Sequence, residues 1–410
     1  MTPRKMTPRE RVYAAANFTE PDRVPIAFGS TAVASIEECP PTPEGLGCTH
    51  LYEYLGLKDA APPAIADAFN SVTNLDERVM LRFHTDMRSV SANIPRAVIQ
   101  PDGTKTWDFM CGMRIKKIGL HDEPFEWPMK YMTTKKDIDE YPWPPLDINI
   151  MEGVVERARY LHEETDYFVL GDTFTNWFPF DSYGLAFTGT EKWLTDMKIN
   201  PKFYHQLSEK FLERALAYAD QFYGGVGQYL DGTWVFDDLG MQTGPLMSLA
   251  DYREFYKPYQ AAIIKKIREY IRPEAKIFLH SCGSVYYAIP DLIEIGVDVL
   301  NPVQPLAKNM EPWRLKKEFG GKISSLGGLD IQQLMPLGTV EQIREGVKKL
   351  IQTYAPGGGF IFATAHIIEP DIPPESIVAA HDAAYEYGKY PISKLTGQGY
   401  VDYIRGLHLH

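Results

Sequence analysis

The chain has 410 residues, and its 54 acidic and 42 basic side chains give a formal net charge of −12. This acidic balance argues against a nucleic-acid-binding protein and against docking on an anionic membrane, because both partners need a basic protein face. No run of about 18 apolar residues is present, so the sequence predicts no membrane-spanning helix. Apolar residues make up 44 % of the chain, which is ordinary for a globular protein with a large core.

The first residues and the cysteines together predict a cytoplasmic protein. Residues 1–9 contain no apolar stretch of the kind found in secretory signals. The cysteines are too few and too scattered for a disulfide framework, so free thiols in a reducing compartment are expected at Cys39, Cys48, Cys111 and Cys282.

The N-terminal part of the chain predicts one helix, one strand and one hairpin. Thr7 and Glu10 have the spacing of a capping box, which predicts the start of a helix. A short apolar run at 24–28 predicts the first buried strand. Residues 98–107 alternate in polarity about an Asp-Gly pair, which predicts a β-hairpin. This hairpin falls in an N-terminal elaboration over about residues 30–150.

From about residue 150 to 390, apolar strand patterns alternate with amphipathic helix patterns. Ser248 is the predicted cap of one helix that runs to about residue 267, and Thr339 with Gln342 has the spacing of a second capping box. Strands are predicted at 24–28, 167–170, 233–236, 276–279, 297–300, 322–326 and 360–364, and an eighth is expected within 81–93. Strands that alternate with helices form parallel βαβ units, and eight of them predict a (β/α)8 TIM barrel, here as a single domain over residues 1–410. A doubly wound sheet is the alternative, but no Gly-x-Gly-x-x-Gly follows the first strand.

Polar side chains follow most of the predicted strands. In a barrel these positions meet at the C-terminal rim, where catalytic residues lie. The candidates are Asp172, Asp238, His280, Cys282, Asn301, Gln304, Asp330 and His366. The alternative is that polar residues stand there only because loops begin there.

The sequence His280-Ser281-Cys282 predicts a metal site. An imidazole and a thiol two residues apart at a strand end are able to reach one ion, and zinc favours nitrogen and sulfur ligands. His366, at the end of the last strand, is expected to be the third ligand. The alternative is a buried thiol beside a hydrogen-bonded histidine.

Aromatic residues in the loop after Asp172 predict a pocket for a flat ligand. Trp177, Phe178 and Tyr183 follow the strand end, and loop aromatics are packed in the core less often than those on helix stripes. Local packing is the alternative interpretation.

Motifs along residues 9–390 resemble the uroporphyrinogen decarboxylase-like superfamily. The matching segments are 9–12, 20–25, 236–240, 244–248, 280–283, 301–305, 326–330, 357–366 and 371–376. The resemblance implies a (β/α)8 barrel. It leaves two chemistries, a decarboxylase and a zinc methyltransferase that exchanges methyl groups with a corrinoid protein.

The resemblance favours the methyltransferase branch. Residues 27–34 lack the arginine with which decarboxylases of the family hold their polycarboxylate substrate. His280 and Cys282 match the first two zinc ligands of the methyltransferases. His366 stands in place of a later cysteine, and Asn301 or Gln304 stands in place of a glutamate, so the ligand set departs from the family pattern.

Among these zinc methyltransferases, the chain resembles the methyltransferase component of O-demethylases, which act on aryl methyl ethers. The implied reaction moves a methyl group from a methoxylated aromatic molecule to Co(I) of a separate corrinoid protein, because no Asp-x-His-x-x-Gly of a corrinoid module occurs here. For this reaction we expect a zinc ion held by His280, Cys282 and His366, with His280 and Asp238 as catalytic residues. Asp238 is expected to orient a ligand histidine, donate a proton or bind the metal itself. Substrate contacts are expected from Asp172, Trp177, Phe178, Tyr183, Asn301, Gln304 and Asp330.

Two alternatives remain at this point. One is a lyase that decarboxylates a smaller carboxylate with Asp238 as the acid. The other is a non-catalytic carrier of a tetrapyrrole or corrinoid. The oligomeric state stays open, with a homodimer as one alternative.

Overall fold

The computed structural model describes residues 5–37, 47–60, 64–67, 72–95, 97–118, 121–171 and 184–407. Its helices are α1 (Pro8–Ala16), α2 (Cys48–Tyr54), α3 (Glu77–Arg82), α4 (Lys135–Glu140), α5 (Val154–Glu163), α6 (Gly184–Thr188), α7 (Thr190–Ile199), α8 (Pro201–Val226), α9 (Leu249–Phe255), α10 (Lys257–Arg268), α11 (Ile289–Glu294), α12 (Pro312–Phe319), α13 (Leu334–Leu337), α14 (Val340–Tyr354), α15 (Pro374–Tyr387) and α16 (Gly399–Gly406). Its strands are β1 (Ala64–Asp67), β2 (Val72–Asn74), β3 (Met87–Val90), β4 (Val98–Ile99), β5 (Lys105–Trp107), β6 (Met113–Ile118), β7 (His121–Glu126), β8 (Phe168–Gly171), β9 (Gly232–Phe236), β10 (Gly240–Met241), β11 (Gly244–Pro245), β12 (Lys276–His280), β13 (Val299–Asn301), β14 (Ser324–Leu329) and β15 (Phe360–Thr364).

Seven parallel strands form the central sheet in the order β15-β14-β13-β12-β9-β8-β3. Neighbouring strands of this sheet are also consecutive barrel strands in the chain, and helices connect them. This is the connectivity of a singly wound barrel. The strand expected within residues 81–93 is β3. The predicted barrel fold is confirmed.

Residues 24–28 close the sheet between its two edge strands. On one side the N–H of Ala27 donates to the oxygen of Phe362 at 2.9 Å, and the N–H of Phe362 donates to the oxygen of Pro25 at 2.8 Å. On the other side the N–H of Asp86 donates to the oxygen of Ile26 at 2.9 Å. The sequence predicted a full strand here, but the segment makes a single parallel bridge, Ile26 to Phe362.

A buried aspartate adds side-chain bonds on the β3 side of this segment. The carboxylate of Asp86 accepts the N–H of Ile26 at 2.8 Å and binds the guanidinium groups of Arg11 and Arg23 at 2.6 and 2.8 Å. Because Asp86 is fully buried, two cations and a backbone donor replace the water that its charge loses.

The same arrangement recurs before two later strands. Asp231 precedes β9 and accepts the N–H of Val169 on β8, and Asp298 precedes β13 and accepts the N–H of Ile277 on β12, both at 2.8 Å. Asp231 also binds Arg9 and Arg272, and Asp298 binds Arg268. Aspartates therefore join neighbouring strands at three places on the N-terminal end of the barrel. The sequence did not predict these bonds.

Side chains along the strands alternate between two buried clusters, as the two-residue period of a strand requires. One cluster faces the barrel interior and includes Ala27, Phe168, Leu170, Trp234, Phe236, Phe278, Val299, Leu326, Ile361 and Ala363. The other cluster packs against the surrounding helices and includes Ile26, Val169, Val235, Ile277, Leu279, Leu300 and Phe362. Helix α1 contributes Val12, Ala15 and Ala16 to the interior cluster, so it covers the N-terminal end of the barrel. The functional end is therefore the opposite one.

Two sequence predictions for helices are confirmed and one is refined. The capping boxes at Thr7 and Thr339 are present. The single helix predicted after Ser248 is two helices, α9 and α10, separated at Tyr256. Pro258 lies in the first turn of α10, and its missing N–H and its ring prevent a continuous helix.

The N-terminal elaboration contains a four-stranded antiparallel sheet, β4-β5-β6-β7. Its first hairpin, with Val98 opposite Thr106, is the one that the sequence predicts. Strands β6 and β7 were not predicted, because β7 carries Pro124 and several charged residues that are uncommon in strands. Lys117 on β6 binds the buried carboxylate of Glu37 at 3.2 Å, which ties this sheet to the segment that follows residue 28.

In the part of the chain that the structure describes, no helix is long and apolar enough to cross a membrane.

We expect Asp86→Asn to lower the free energy of unfolding by about 3–5 kcal/mol, because the guanidinium of Arg23 loses the carboxylate that it binds and that of Arg11 keeps only Asp22. Asp298→Asn is the matched control. Its carboxylate is 29 % exposed and binds one arginine, so about 1 kcal/mol or less is expected. Urea denaturation of the two variants measures the difference, and equal losses would contradict the role assigned to Asp86.

Candidate functional site

The C-terminal ends of the strands bring three potential ligands together. His280 is the last residue of β12, Cys282 follows two residues later, and His366 lies two residues beyond β15. One ligand atom from each of these side chains lies within 4.8 Å of the others. Two imidazole nitrogens and one sulfur are donors that suit zinc, and three protein ligands are the usual number at a catalytic zinc site.

Asn301 sets the orientation of the His280 ring. The side-chain nitrogen of Asn301 donates to the backbone oxygen of Leu326 at 3.1 Å, which turns its Oδ1 toward Nδ1 of His280 at 2.7 Å. The His280 Nδ1–H therefore donates, and Nε2 carries the lone pair. This Nε2 lies 3.3 Å from Sγ of Cys282. The histidine is held in the tautomer that a metal ligand needs.

Burial reinforces the neutral form of this histidine. His280 is 6 % exposed, and desolvation lowers the pKa of its imidazole to about 4, against the smaller opposing effect of the bond to Asn301. At neutral pH the ring therefore offers a lone pair rather than a second proton.

Asp238 lies beside the three ligands. Its Oδ1 accepts the backbone N–H of Cys282 at 2.6 Å and is 3.9 Å from Nε2 of His280. Burial raises the pKa of the Asp238 carboxyl, and the N–H of Cys282 opposes that rise. The cluster thus contains one carboxyl group next to one thiol and two imidazoles.

Two glycines let the loops that carry Asp238 and Cys282 touch through their backbones. A Cβ on Gly240 would lie 2.6 Å from backbone atoms of Ser284, and a Cβ on Gly283 would lie 2.6 Å from backbone atoms of Gly240. Gly283 also has a φ of +70°, which disfavours other residues. The N–H of Leu239 donates to Oγ of Ser281 at 2.9 Å and completes the contact.

The structure places three predicted substrate contacts at this end of the barrel, and their roles stay predictions. Asn301 is fully buried, with both ends of its amide engaged as described. Gln304 accepts the N–H of Gly283 and the amide of Gln242, both at 2.7 Å. Asp330 accepts the N–H groups of Gln333 and Leu334 at the start of α13, and burial raises the pKa of its carboxyl. Four further candidates lie outside the described residues: Asp172, Trp177, Phe178 and Tyr183.

The aromatic ring of Phe236 borders the site, which the sequence did not predict. Phe236, Asn301 and His280 stand level on adjacent strands. The Phe236 ring centroid is 5.6 Å from that of His280, and the His366 ring centroid is 5.5 Å from it on another side. The alternation of Trp234 and Phe236 along β9 was a signal for inward-facing aromatics.

Comparison with known proteins places this site in a family. The family profile described as Uroporphyrinogen decarboxylase (URO-D) matches residues 129–387, more than half of the chain. The chain belongs to the URO-D family. The family assignment confirms the resemblance seen in the sequence.

The URO-D relatives with curated names match about half of this chain. A uroporphyrinogen decarboxylase from Vesicomyosocius okutanii is 27 % identical over 206 residues, which cover 50 % of this chain and 54 % of the relative. One from Ruthia magnifica is 26 % identical, with 46 % and 51 % covered. The chain spans about half the length of the curated relatives it matches.

A solved structure agrees with the barrel over nearly the whole chain. A methyltransferase from Methanosarcina mazei superposes with a TM-score of 0.61 at 16 % identity, and the match covers 93 % of this chain and 99 % of that one. At this identity the likeness establishes the fold.

We expect Gly240→Ala to separate the two loops, because its Cβ has no space against the Ser284 backbone. A loss of about 1–3 kcal/mol in unfolding free energy is expected, together with faster alkylation of Cys282. Gly224→Ala on α8 is the control, since its nearest neighbour would be an aromatic carbon at 3.8 Å. Peptide-resolved thiol labelling measures the rate, and an unchanged rate in Gly240→Ala would contradict the loop contact.

Proposed function

We propose that this protein is a zinc-dependent methyltransferase that moves a methyl group from an aryl methyl ether to Co(I) of a separate corrinoid protein. The observation that carries the proposal is the cluster of His280, Cys282 and His366 at the barrel mouth, with the lone pair of His280 Nε2 turned toward the sulfur. A decarboxylation needs no such donor set.

The residues present fit a zinc ion. His280 is neutral and fixed by Asn301, His366 supplies a second imidazole, and Cys282 supplies the thiol that becomes a thiolate ligand. When bound, zinc supplies Lewis-acid stabilisation of the negative charge that develops on the departing ether oxygen. One thiolate leaves a divalent ion with net positive charge, which suits an oxygen donor better than a thiolate-rich shell does.

The proposed transfer breaks the methyl–oxygen bond of the ether. Co(I) provides the electron pair for the new cobalt–carbon bond, and the aryl oxygen keeps the pair of the broken bond and then takes a proton. The proposal assigns delivery of that proton to the carboxyl group of Asp238, which also accepts the backbone N–H of Cys282. A phenolate leaves far more readily than an alkoxide, which favours aryl over alkyl ethers.

The walls of the site support a flat donor. Phe236 is 8 % exposed, and its ring stands next to His280 on the same level of the barrel. An aromatic ring gains about 0.5–1.5 kcal/mol from an edge or offset contact with such a side chain. The proposal gives Trp177, Phe178 and Tyr183 the remaining ring contacts and assigns the corrinoid to a partner protein.

A lyase acting on a small carboxylate is the second candidate. It is favoured by curated relatives that match about half of this chain, among them the uroporphyrinogen decarboxylases from Vesicomyosocius okutanii and Ruthia magnifica. This candidate requires Asp238 as an acid and needs neither metal nor corrinoid.

The proposal predicts about one zinc per chain in protein purified without chelator. Cys282→Ala should lose the metal, and Asn301→Leu should weaken zinc binding by about 10- to 100-fold because His280 loses its tautomer. Cys111→Ala is the control. Burial raises the pKa of that thiol to about 12, so it stays protonated and is a poor ligand. Elemental analysis and competition with a zinc chelator measure both effects, and metal-free wild-type protein would exclude the zinc mechanism.

The direct test of function compares methyl donors. Purified protein, a reduced corrinoid protein and methoxybenzene, methanol or methylamine are combined, and methyl-cobalt formation is followed by absorbance. Methoxybenzene is expected to react fastest because its leaving group is a phenolate. Faster transfer from methanol or the amine would assign another methyltransferase class, and carbon dioxide release from a carboxylate without a corrinoid would favour the lyase.

A further inference from the structure

Two buried hydroxyl groups lie in the turn that follows residues 24–28. Ser30 is fully buried and Thr31 is 3 % exposed, and Oγ of Ser30 and Oγ1 of Thr31 have no hydrogen-bond partner among the described residues. Buried polar atoms in folded proteins nearly always have a partner, and those without one are costly. An exception is expected where a ligand completes the bonds.

The fold places these hydroxyls at the mouth of the barrel. Ile26 and Ile36 form parallel bridges to Phe362 and Ile368, so the residues between them, Ser30 and Thr31 included, lie alongside the stretch that carries His366. Within this segment the chain turns at Gly29, whose φ is +67° and whose N–H donates to the oxygen of Ala34 at 2.7 Å.

The residues after this turn face the barrel interior. Val33 and Ala34 belong to the same interior cluster as Phe236, whose ring adjoins His280. The segment with the two hydroxyls therefore lies over the end of the barrel where the three potential metal ligands meet.

The side chains of residues 29–37 favour an uncharged group of a ligand. Residues 29–37 contain no lysine or arginine. Their one ionisable side chain is Glu37, which is 4 % exposed and bound to Lys117. The segment itself supplies no cation for a carboxylate, whereas a hydroxyl is able to donate to an ether oxygen or accept from a phenol.

We propose that Ser30 and Thr31 bind an uncharged oxygen substituent of the methyl donor, a ring hydroxyl or a second ether oxygen next to the methoxy group. This inference rests on the proposed function, and it names the donor class as vicinally oxygenated methoxybenzenes. Ser30 and Thr31 are specificity-determining residues in this scheme, and the methyl transfer itself does not need them.

The first test measures stability without any ligand. Because the hydroxyls lack partners, Ser30→Ala and Thr31→Val are expected to leave Tm unchanged or to raise it. Ser324→Ala is the matched control at the other end of the barrel. Its Oγ donates to the backbone oxygen of Ala16 at 3.1 Å, so its loss should lower Tm. A large fall in Tm for either mouth variant would show that the hydroxyls are already bonded and would overturn the proposal.

The second test measures ligand preference by calorimetry on the zinc-loaded full chain, with 2-methoxyphenol, methoxybenzene and 2-methoxybenzoate. Wild-type protein is expected to bind 2-methoxyphenol about tenfold more tightly than methoxybenzene, and the benzoate most weakly. The double variant Ser30→Ala, Thr31→Val should bind the first two equally, whereas Thr31→Ser and Ser324→Ala keep the preference. An unchanged preference in the double variant, or tightest binding of the benzoate, overturns the proposal.

The methyl-transfer assay separates this proposal from the proposed function. If the variants lose the binding preference for 2-methoxyphenol but the wild-type protein transfers no methyl group, the result supports the oxygen site and contradicts the methyltransferase function. If methyl transfer occurs with equal kcat/KM for 2-methoxyphenol and methoxybenzene in wild type and variant, the result supports the function and contradicts the oxygen site.

Discussion

Closure of the parallel sheet by residues 24–28 is the constraint on which the site depends. The segment has one bridge to β15, and on the other side Asp86 supplies a side-chain bond in place of a longer backbone ladder. With the sheet closed, His366 after the last strand comes within reach of His280 on β12. A buried charge at one end of the barrel thereby supports the arrangement of neutral donors at the other.

The two ends of the barrel differ in their electrostatics. At the N-terminal end, buried and half-buried aspartates are compensated by arginines and backbone N–H groups, which fixes the strands. At the C-terminal end, burial and the bond to Asn301 keep His280 neutral. A neutral imidazole offers a lone pair to an electrophilic metal.

Rigid backbone contacts hold the donor atoms in place. The Gly240 and Gly283 loops meet without side chains between them, and Asp238 bonds the N–H of Cys282 across that contact. The backbone of Cys282, two residues beyond its strand, is thus held in place by Asp238. In the proposed function, a fixed position of the thiol reduces the reorganisation that the reaction needs.

The sequence by itself determined the alternation of barrel strands and helices, the barrel fold, and the types of side chain at the strand ends. It did so because strand and helix periods and strand-terminal residues are local properties. Only the tertiary structure decided that residues 24–28 close the barrel by a single bridge and that Asn301 orients His280. It also decided that Phe236 faces the site and that Ser30 and Thr31 are buried without partners. These features depend on which residues of distant segments stand level once the sheet curls, and that register is set by packing between strands rather than by any one of them.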